Sequence, residues 1–334
     1  MSEIQIETVE MHTGGEPVRL VVNGFPQVRG DSILAKRRYA QQNLDHLRRL
    51  LIFEPRGHFD MYGVIPVTPD HAEADLAVLF IHNEGYSTMC GHAVIALGRW
   101  AVDQRLVRVV EPETLVRIQC PCGLVRAKVE VANGRAGAVR FESVPAFAFA
   151  LEQAVEVPGF GRLRLDIGYG GAFYAILPAA QVGLDIRTAS VRDLTDAGDR
   201  ITQAVKAQLP LEHPDDPDLA FLYGTILTDG GDGSRAPSAN VCIFAAREVD
   251  RSPTGSGVTA RIALQHAKAE LELGVERRFE SVTGAVFTGK AVQETRVGQF
   301  KALTVEVGGK AYYTGRATFT VERDDPLGSG FLLR

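Results

Sequence analysis

Short strand-like runs dominate this chain, some alternating apolar and polar positions with the period of two that marks half-buried strands and others continuously apolar. Such runs begin with Ile4 and Ile6 and continue through Val18–Val22, Leu76–Ile81, Leu124–Val131, Leu163–Ile167, Phe173–Leu177, Phe221–Leu227, Val241–Phe244, Leu303–Val307 and Tyr312–Val321. Turn residues break them at close intervals, as at Asn133-Gly134 and Gly308-Gly309. Four segments carry helical spacing instead: Ser32–Leu51, Gly91–Val102, Asp193–Leu209 and Gly257–Leu273. Many strands with few helices predict an α+β protein with mostly antiparallel sheet.

At 334 residues the chain exceeds the size at which one hydrophobic core stops growing. Two domains are therefore expected, one of residues 1–150, joined by about 315–334, and one of 151–314, with the boundary near Pro145 to Pro158. A net charge of −5 argues against a nucleic-acid or anionic-membrane surface. The clusters Lys36-Arg37-Arg38 and Arg48-Arg49 share a stretch with Leu34, Leu44, Leu47 and Leu51 at helical spacing, so they read as the wet face of an amphipathic helix. No apolar run approaches the ~18 residues that span a bilayer, and the opening residues lack a signal-peptide layout. Four cysteines, two of them one residue apart, make no disulfide framework, so a reducing cytoplasm is expected.

An internal echo adds more. His12-Thr13-Gly14-Gly15-Glu16-Pro17 leads into a strand, and so does Tyr169-Gly170-Gly171-Ala172-Phe173. Ser87-Thr88-Met89-Cys90-Gly91-His92-Ala93 then opens one helix, and Arg251-Ser252-Pro253-Thr254-Gly255-Ser256-Gly257 opens another. Gly15 and Cys90 are 75 residues apart, Gly171 and Thr254 are 83. The same order at similar separation points to two lobes of one design, although the match is too short to prove a repeat unaided.

The first helix is apolar on nearly every side, which marks it as buried. Cys90 stands at its start, where unpaired N–H groups and the positive dipole end favour anions and make thiolate available. A thiolate there can serve as a general base. The plainer alternative is a small buried hydrophobe. At the second start Thr254 takes the corresponding place, and threonine is a common N-cap but no base at neutral pH. Asp250 reads either as a salt-bridged loop carboxylate or as the partner of a substrate ammonium. Gly255 and Gly257 remove side chains where a ligand would approach the backbone. Two such helix starts facing one another would cradle a carboxylate.

Other candidates are structural. Cys120-Pro121-Cys122 lacks zinc-site spacing and reads as a strand turn, and Cys242 falls in an apolar run as a core residue. No P-loop, dinucleotide fingerprint or HExxH motif occurs, so neither cofactor nor metal is expected. Proton removal would then rely on the protein's own dipoles.

The run Asn83–His92 resembles the first catalytic motif of the proline racemase family, and Asp250–Gly257 resembles the second. His12–Pro17, Pro55–Gly63 and Gly170–Ala175 are also similar to that family, so the resemblance spans essentially the whole chain. It implies a fold of the diaminopimelate epimerase type: two similar lobes, each a sheet curled around a central helix, with the active site in the interlobe cleft. It also implies a homodimer. Racemases and epimerases of the family use two cysteines, one on each face of the α-carbon; this sequence keeps Cys90 and carries Thr254 in the second place. That pairing resembles the family's trans-3-hydroxy-L-proline dehydratases. Implied roles follow: Cys90 as base, Thr254 in the second catalytic position, N–H groups of Gly91, His92, Gly255 and Ser256 on the substrate carboxylate, and His92 and Asp250 on the ring nitrogen. The product would be Δ1-pyrroline-2-carboxylate. Alternatives are a proline racemase or hydroxyproline 2-epimerase and, from another class, a non-catalytic amino-acid-binding protein.

Overall fold

The computed structural model describes residues 4–333. In chain order the elements are β1 (Ile4–Thr13), β2 (Glu16–Asn23), α1 (Ile33–Asn43), α2 (Asp45–Ile52), β3 (Gly63–Val67), β4 (Leu76–Ile81), β5 (Tyr86–Ser87), α3 (Gly91–Asp103), β6 (Glu113–Cys120), β7 (Gly123–Ala132) and β8 (Arg135–Glu142). There follow β9 (Ala146–Val157), β10 (Gly161–Tyr169), β11 (Phe173–Pro178), α4 (Val191–Gln208), β12 (Leu222–Thr228), β13 (Ser238–Phe244), β14 (Glu248–Val249), α5 (Gly255–Ala267), β15 (Glu276–Glu280), β16 (Val286–Val297), β17 (Phe300–Gly309) and β18 (Ala311–Val321). The class is α+β, as the alternation predicts.

Two compact units result. The first runs to Val139 and takes up the chain again from Lys310, and the second is Arg140–Gly309. In the first, β18 pairs antiparallel with β1, which pairs with β2; β2 and β3 are parallel, β3 and β4 antiparallel, β4 and β6 parallel, and β6 and β7 antiparallel. Helix α3 packs against β1, β2, β6, β7 and β18, which explains why it is apolar on nearly every side, with the Arg99–Asp103 pair at its far end partly exposed. Gly98 makes that fit, since a Cβ there would come within 3.1 Å of Val139 and 3.2 Å of Val129.

In the second unit the pairings close on themselves. They run β9, β10, β11, β12, β13, β15, β16, β17 and back to β9 through Ala302–Phe147 and Leu303–Ala146. Closure removes the free edges of this sheet. Helix α5 packs against β9, β10, β11, β16 and β17. The segment Ala146–Val157 is strand throughout. Cys120 pairs with Gly123 across the expected turn, and Cys242 is fully buried.

The segment Ser32–Leu51 differs from expectation twice. It forms two helices, broken at Leu44, whose backbone leaves helical geometry. Its basic residues are also not all solvated: Arg38 and Arg49 are exposed, but Lys36 and Arg48 are buried. Lys36 pairs with Asp70 at 2.8 Å. Arg48 donates to the carbonyls of His82 and Asn83, each at 2.7 Å, and pairs with Asp45 at 2.6 Å. Arg37 donates to the Tyr86 carbonyl at 2.7 Å. Arg48 and Arg37 thus donate to carbonyls of the loop that leads to Cys90, and Lys36 is held by a carboxylate, so charge-assisted bonds replace solvent around them.

Candidate active site

Cys90 is the N-cap residue of α3, in extended backbone geometry, and its sulfur accepts from the Ala93 N–H at 3.4 Å. The first intrahelical bond runs from Val94 N to the Cys90 carbonyl, so the N–H groups of Gly91 and His92 precede the helical ladder. The bond from Ala93 and the positive helix end both favour an anion at sulfur.

His92 sits directly beside it. Its Nδ1 lies 3.1 Å and its Nε2 3.6 Å from Cys90 Sγ. Burial pushes the imidazole pKa down to about 3, although a ring N–H donating to the Pro17 carbonyl works the other way. The imidazole is therefore neutral near pH 7. With its one N–H on Pro17, the other nitrogen is an acceptor.

Three separate segments build this environment. Thr13 Oγ1 donates to the His92 carbonyl at 2.9 Å. The Tyr62 ring meets the His92 ring edge-on at 4.9 Å between centroids, and its hydroxyl lies 2.5 Å from Ser87 Oγ. His12–Pro17 and Pro55–Gly63 thus supply Thr13, Pro17 and Tyr62 to the Cys90 helix start.

In the second unit, Asp250 accepts from the Ser252 N–H at 2.7 Å, and Thr254 N donates to Ser252 Oγ at 3.1 Å. Burial pushes the Asp250 carboxyl up to about 6, against hydrogen bonds from Ser252 that favour its charge. Thr254 occupies the N-cap position of α5, but not as expected. Its backbone is left-handed, at φ 65°, and its hydroxyl makes no capping bond. That conformation costs roughly 1–3 kcal/mol for a β-branched residue and persists only where the surroundings impose it. The Oγ1 atom is buried without a well-formed hydrogen bond, close enough to Asp250 to favour its carboxylate.

Gly255 and Ser256 form the first turn of α5. Ser256 Oγ lies 2.6 Å from the Tyr174 hydroxyl of β11. Gly170 is required by close approach, since a Cβ there would stand 2.1 Å from the Ser256 carbonyl oxygen. Gly257 is a correction. A Cβ on it would meet Ile226 Cδ1 at 2.4 Å and Thr254 Cγ2 at 3.0 Å, so its missing side chain admits protein atoms, not a ligand.

The structure thus groups Cys90, Gly91 and His92 at one helix start and Asp250, Thr254, Gly255 and Ser256 at the other. Sequence reasoning missed the contact of His92 with sulfur and gave no role to Tyr62 and Tyr174, although both lie in the family-like segments Pro55–Gly63 and Gly170–Ala175. Two cavities of about 520 Å³ also open on the described residues, one beside His12, Pro17 and His58 and one beside His266 and Glu294. Neither is lined by Cys90 or Thr254.

A sequence model of the proline racemase family matches residues 8–332. The chain belongs to the proline racemase family. Among relatives of this family member, the trans-L-3-hydroxyproline dehydratase of Xenopus tropicalis is 59% identical over 332 residues, covering 98% of this chain and 95% of its own. The human trans-3-hydroxy-L-proline dehydratase is 58% identical over 335 residues, with the same coverage of 98% and 95%. A crystal structure of a probable proline racemase from Agrobacterium radiobacter K84, with bound carbonate, is 27% identical. It superposes with a TM-score of 0.93 and matches 98% of this chain and 96% of its own.

Proposed function

We propose that this family member is a hydro-lyase that dehydrates trans-3-hydroxy-L-proline to Δ1-pyrroline-2-carboxylate. The observation that carries the reading is the pair of helix starts: a cysteine held against a neutral histidine at α3, and at α5 a threonine where a second sulfur would be needed to return a proton. The identity of nearly three fifths to named dehydratases supports it.

The stereochemistry fits. In the trans isomer the 3-hydroxyl and the α-hydrogen share one face of the ring, so one base suffices. Cys90 thiolate takes the α-proton, and the backbone N–H groups of Gly91, His92, Gly255 and Ser256 hold the carboxylate and bear the charge that develops. His92 and Asp250 hold the ring nitrogen. The C3–O bond then breaks, the thiol proton leaves with the hydroxyl as water, and the resulting enamine tautomerises to the cyclic imine. Thr254 completes the site on the side where the family's racemases place a second cysteine. No cofactor takes part in this scheme.

The same reading treats the two units as similar lobes, the first rejoined by the end of the chain, with the substrate bound in the cleft between them. Each central helix having 13 residues and opening on its family motif supports this. A homodimer and a reducing, cytoplasmic setting belong to the proposal, the latter because the base must be a free thiol. No helix among the described residues is long and apolar enough to cross a membrane.

The test is a substrate panel. The purified protein should form pyrroline-2-carboxylate from trans-3-hydroxy-L-proline and leave L-proline and trans-4-hydroxy-L-proline without inversion. Inverted product at ordinary turnover with no imine would instead make it an epimerase or racemase. Absence of both, together with no exchange of the α-hydrogen in deuterated solvent, would leave a binding protein.

A further inference from the structure

We infer that Asn240, locked in orientation by the buried Arg261, is a positioning residue for Thr254. Arg261 lies on α5 and Asn240 on β13, and both are buried. Arg261 donates to Asn240 Oδ1 at 3.0 Å. A guanidinium has donors and no acceptor, so this bond decides which end of the Asn240 amide faces it. The amide nitrogen is thereby turned to the Pro253 carbonyl, to which it donates at 3.1 Å.

That carbonyl belongs to the peptide joining Pro253 to Thr254. The N–H of the same peptide donates to Ser252 Oγ at 3.1 Å. The plane is therefore pinned at both polar ends, and it sets the orientation from which Thr254 departs into its left-handed conformation. Arg261 is itself fixed by further bonds to the Gly231 carbonyl at 2.9 Å and Ser238 Oγ at 2.7 Å, over the Phe279 ring at 4.6 Å. Asp229 and Asp232 supply the compensating charge. A buried cation so completely engaged transmits rigidity, because moving it would break several charge-assisted bonds at once.

The inference rests on the proposed function insofar as Thr254 serves the reaction. Asn240→Asp keeps the shape of the side chain and the acceptor for Arg261, but removes the donor to Pro253 and sets an oxygen against its carbonyl. Two readouts test it. In hydrogen–deuterium exchange of the whole protein, the peptide covering 250–256 should exchange at least about tenfold faster in the variant, while that covering 91–103 is unchanged. In kinetics with trans-3-hydroxy-L-proline, Asn240→Asp should lower kcat/KM by about 10- to 100-fold, yet by less than about twofold when Thr254 is already alanine. Arg261→Lys, which keeps the charge but loosens the grip on Asn240, should shift both readouts the same way by a smaller factor.

Unchanged exchange at 250–256 overturns the inference, as does an equal kinetic loss with and without the Thr254 hydroxyl. Should the wild type not dehydrate the substrate, the functional reading fails while the exchange result still decides the positioning. If Asn240→Asp does not fold, Arg261→Lys decides by the same two criteria.

Discussion

The Nδ1 atom of His92 stands 3.1 Å from the sulfur of Cys90, and the imidazole that carries it is neutral because it is buried. A cation there would hold the sulfur as a tight ion pair. A neutral ring, fixed by Pro17 behind it, offers the thiol a hydrogen-bond acceptor and sets no fixed positive charge beside the anion. Cys90→Ser should lower kcat/KM for trans-3-hydroxy-L-proline by about 10²- to 10⁴-fold, the usual worth of a general base. The melting temperature should stay within a few degrees, since serine also fits an N-cap. Retained turnover in that variant would remove Cys90 from the chemistry.

Asp250 gives the pH dependence its sign. Its carboxyl titrates near 6 in the folded protein, and its ordinary value is 3.8. Binding a substrate ammonium needs the carboxylate, so kcat/KM should rise with pH through about 6 and then level. His92, titrating near 3, adds nothing in that window. Asp250→Asn should abolish the rise and leave low activity throughout. A wild-type profile in the variant would mean that another group titrates.

The same shift carries a stability cost with a defined direction. A carboxyl whose folded pKa exceeds its unfolded one binds its proton more tightly in the native state. Its stabilising contribution is complete below about pH 4 and is lost as pH rises through 6. At pH 8 the buried charge therefore costs on the order of 2–3 kcal/mol. Asp250→Asn, which has no charge to bury, should melt higher than the wild type at pH 8 and about equally at pH 4. Equal melting temperatures at pH 8 would show that Ser252 and Thr254 offset the burial fully.

Much of this was legible from the chain. Short apolar and alternating runs located most strands, and the largely apolar circumference of Gly91–Val102 announced a buried helix with Cys90 at its tip. What escaped did so for physical reasons. A hydrophobic pattern reports on apolar burial and says nothing of a cation buried against carbonyls, so Arg48 and Lys36 read as solvated. Composition marks threonine as a helix cap, but only coordinates reveal the left-handed backbone that turns the Thr254 hydroxyl away from the helix. Gly257 looked like room for a ligand because a glycine's neighbour in space is not written in its sequence neighbours. Arg261, Asn240 and Tyr174 sit in ordinary helix and strand contexts, Tyr62 in the loop before β3, and all four act through residues far away in sequence.

Arg48 offers a direct check on the first of these. Arg48→Met preserves the stem and the packing of α2, and it leaves the His82 and Asn83 carbonyls without their donor. Loss of bonds to two buried carbonyls should cost about 2–4 kcal/mol. Chemical denaturation should show this as a lower midpoint. A cost below about 0.5 kcal/mol would mean that water replaces the guanidinium and that the loop does not depend on it.

Thr254 is where the reaction itself would be rewritten. A cysteine in its place would begin α5 with a thiol, as Cys90 begins α3, and would supply the donor that returns a proton on the opposite face. Sulfur is also no worse suited than a branched threonine to the left-handed backbone, so folding should survive the change. Thr254→Cys should therefore gain measurable inversion of L-proline or trans-4-hydroxy-L-proline, read by chiral chromatography, with dehydratase turnover reduced. Thr254→Ser, which keeps a hydroxyl and adds no sulfur, should gain none. Inversion in both variants would place the second proton donor elsewhere, and inversion in neither would mean that the wall of the site, beyond this one side chain, separates loss of water from return of hydrogen.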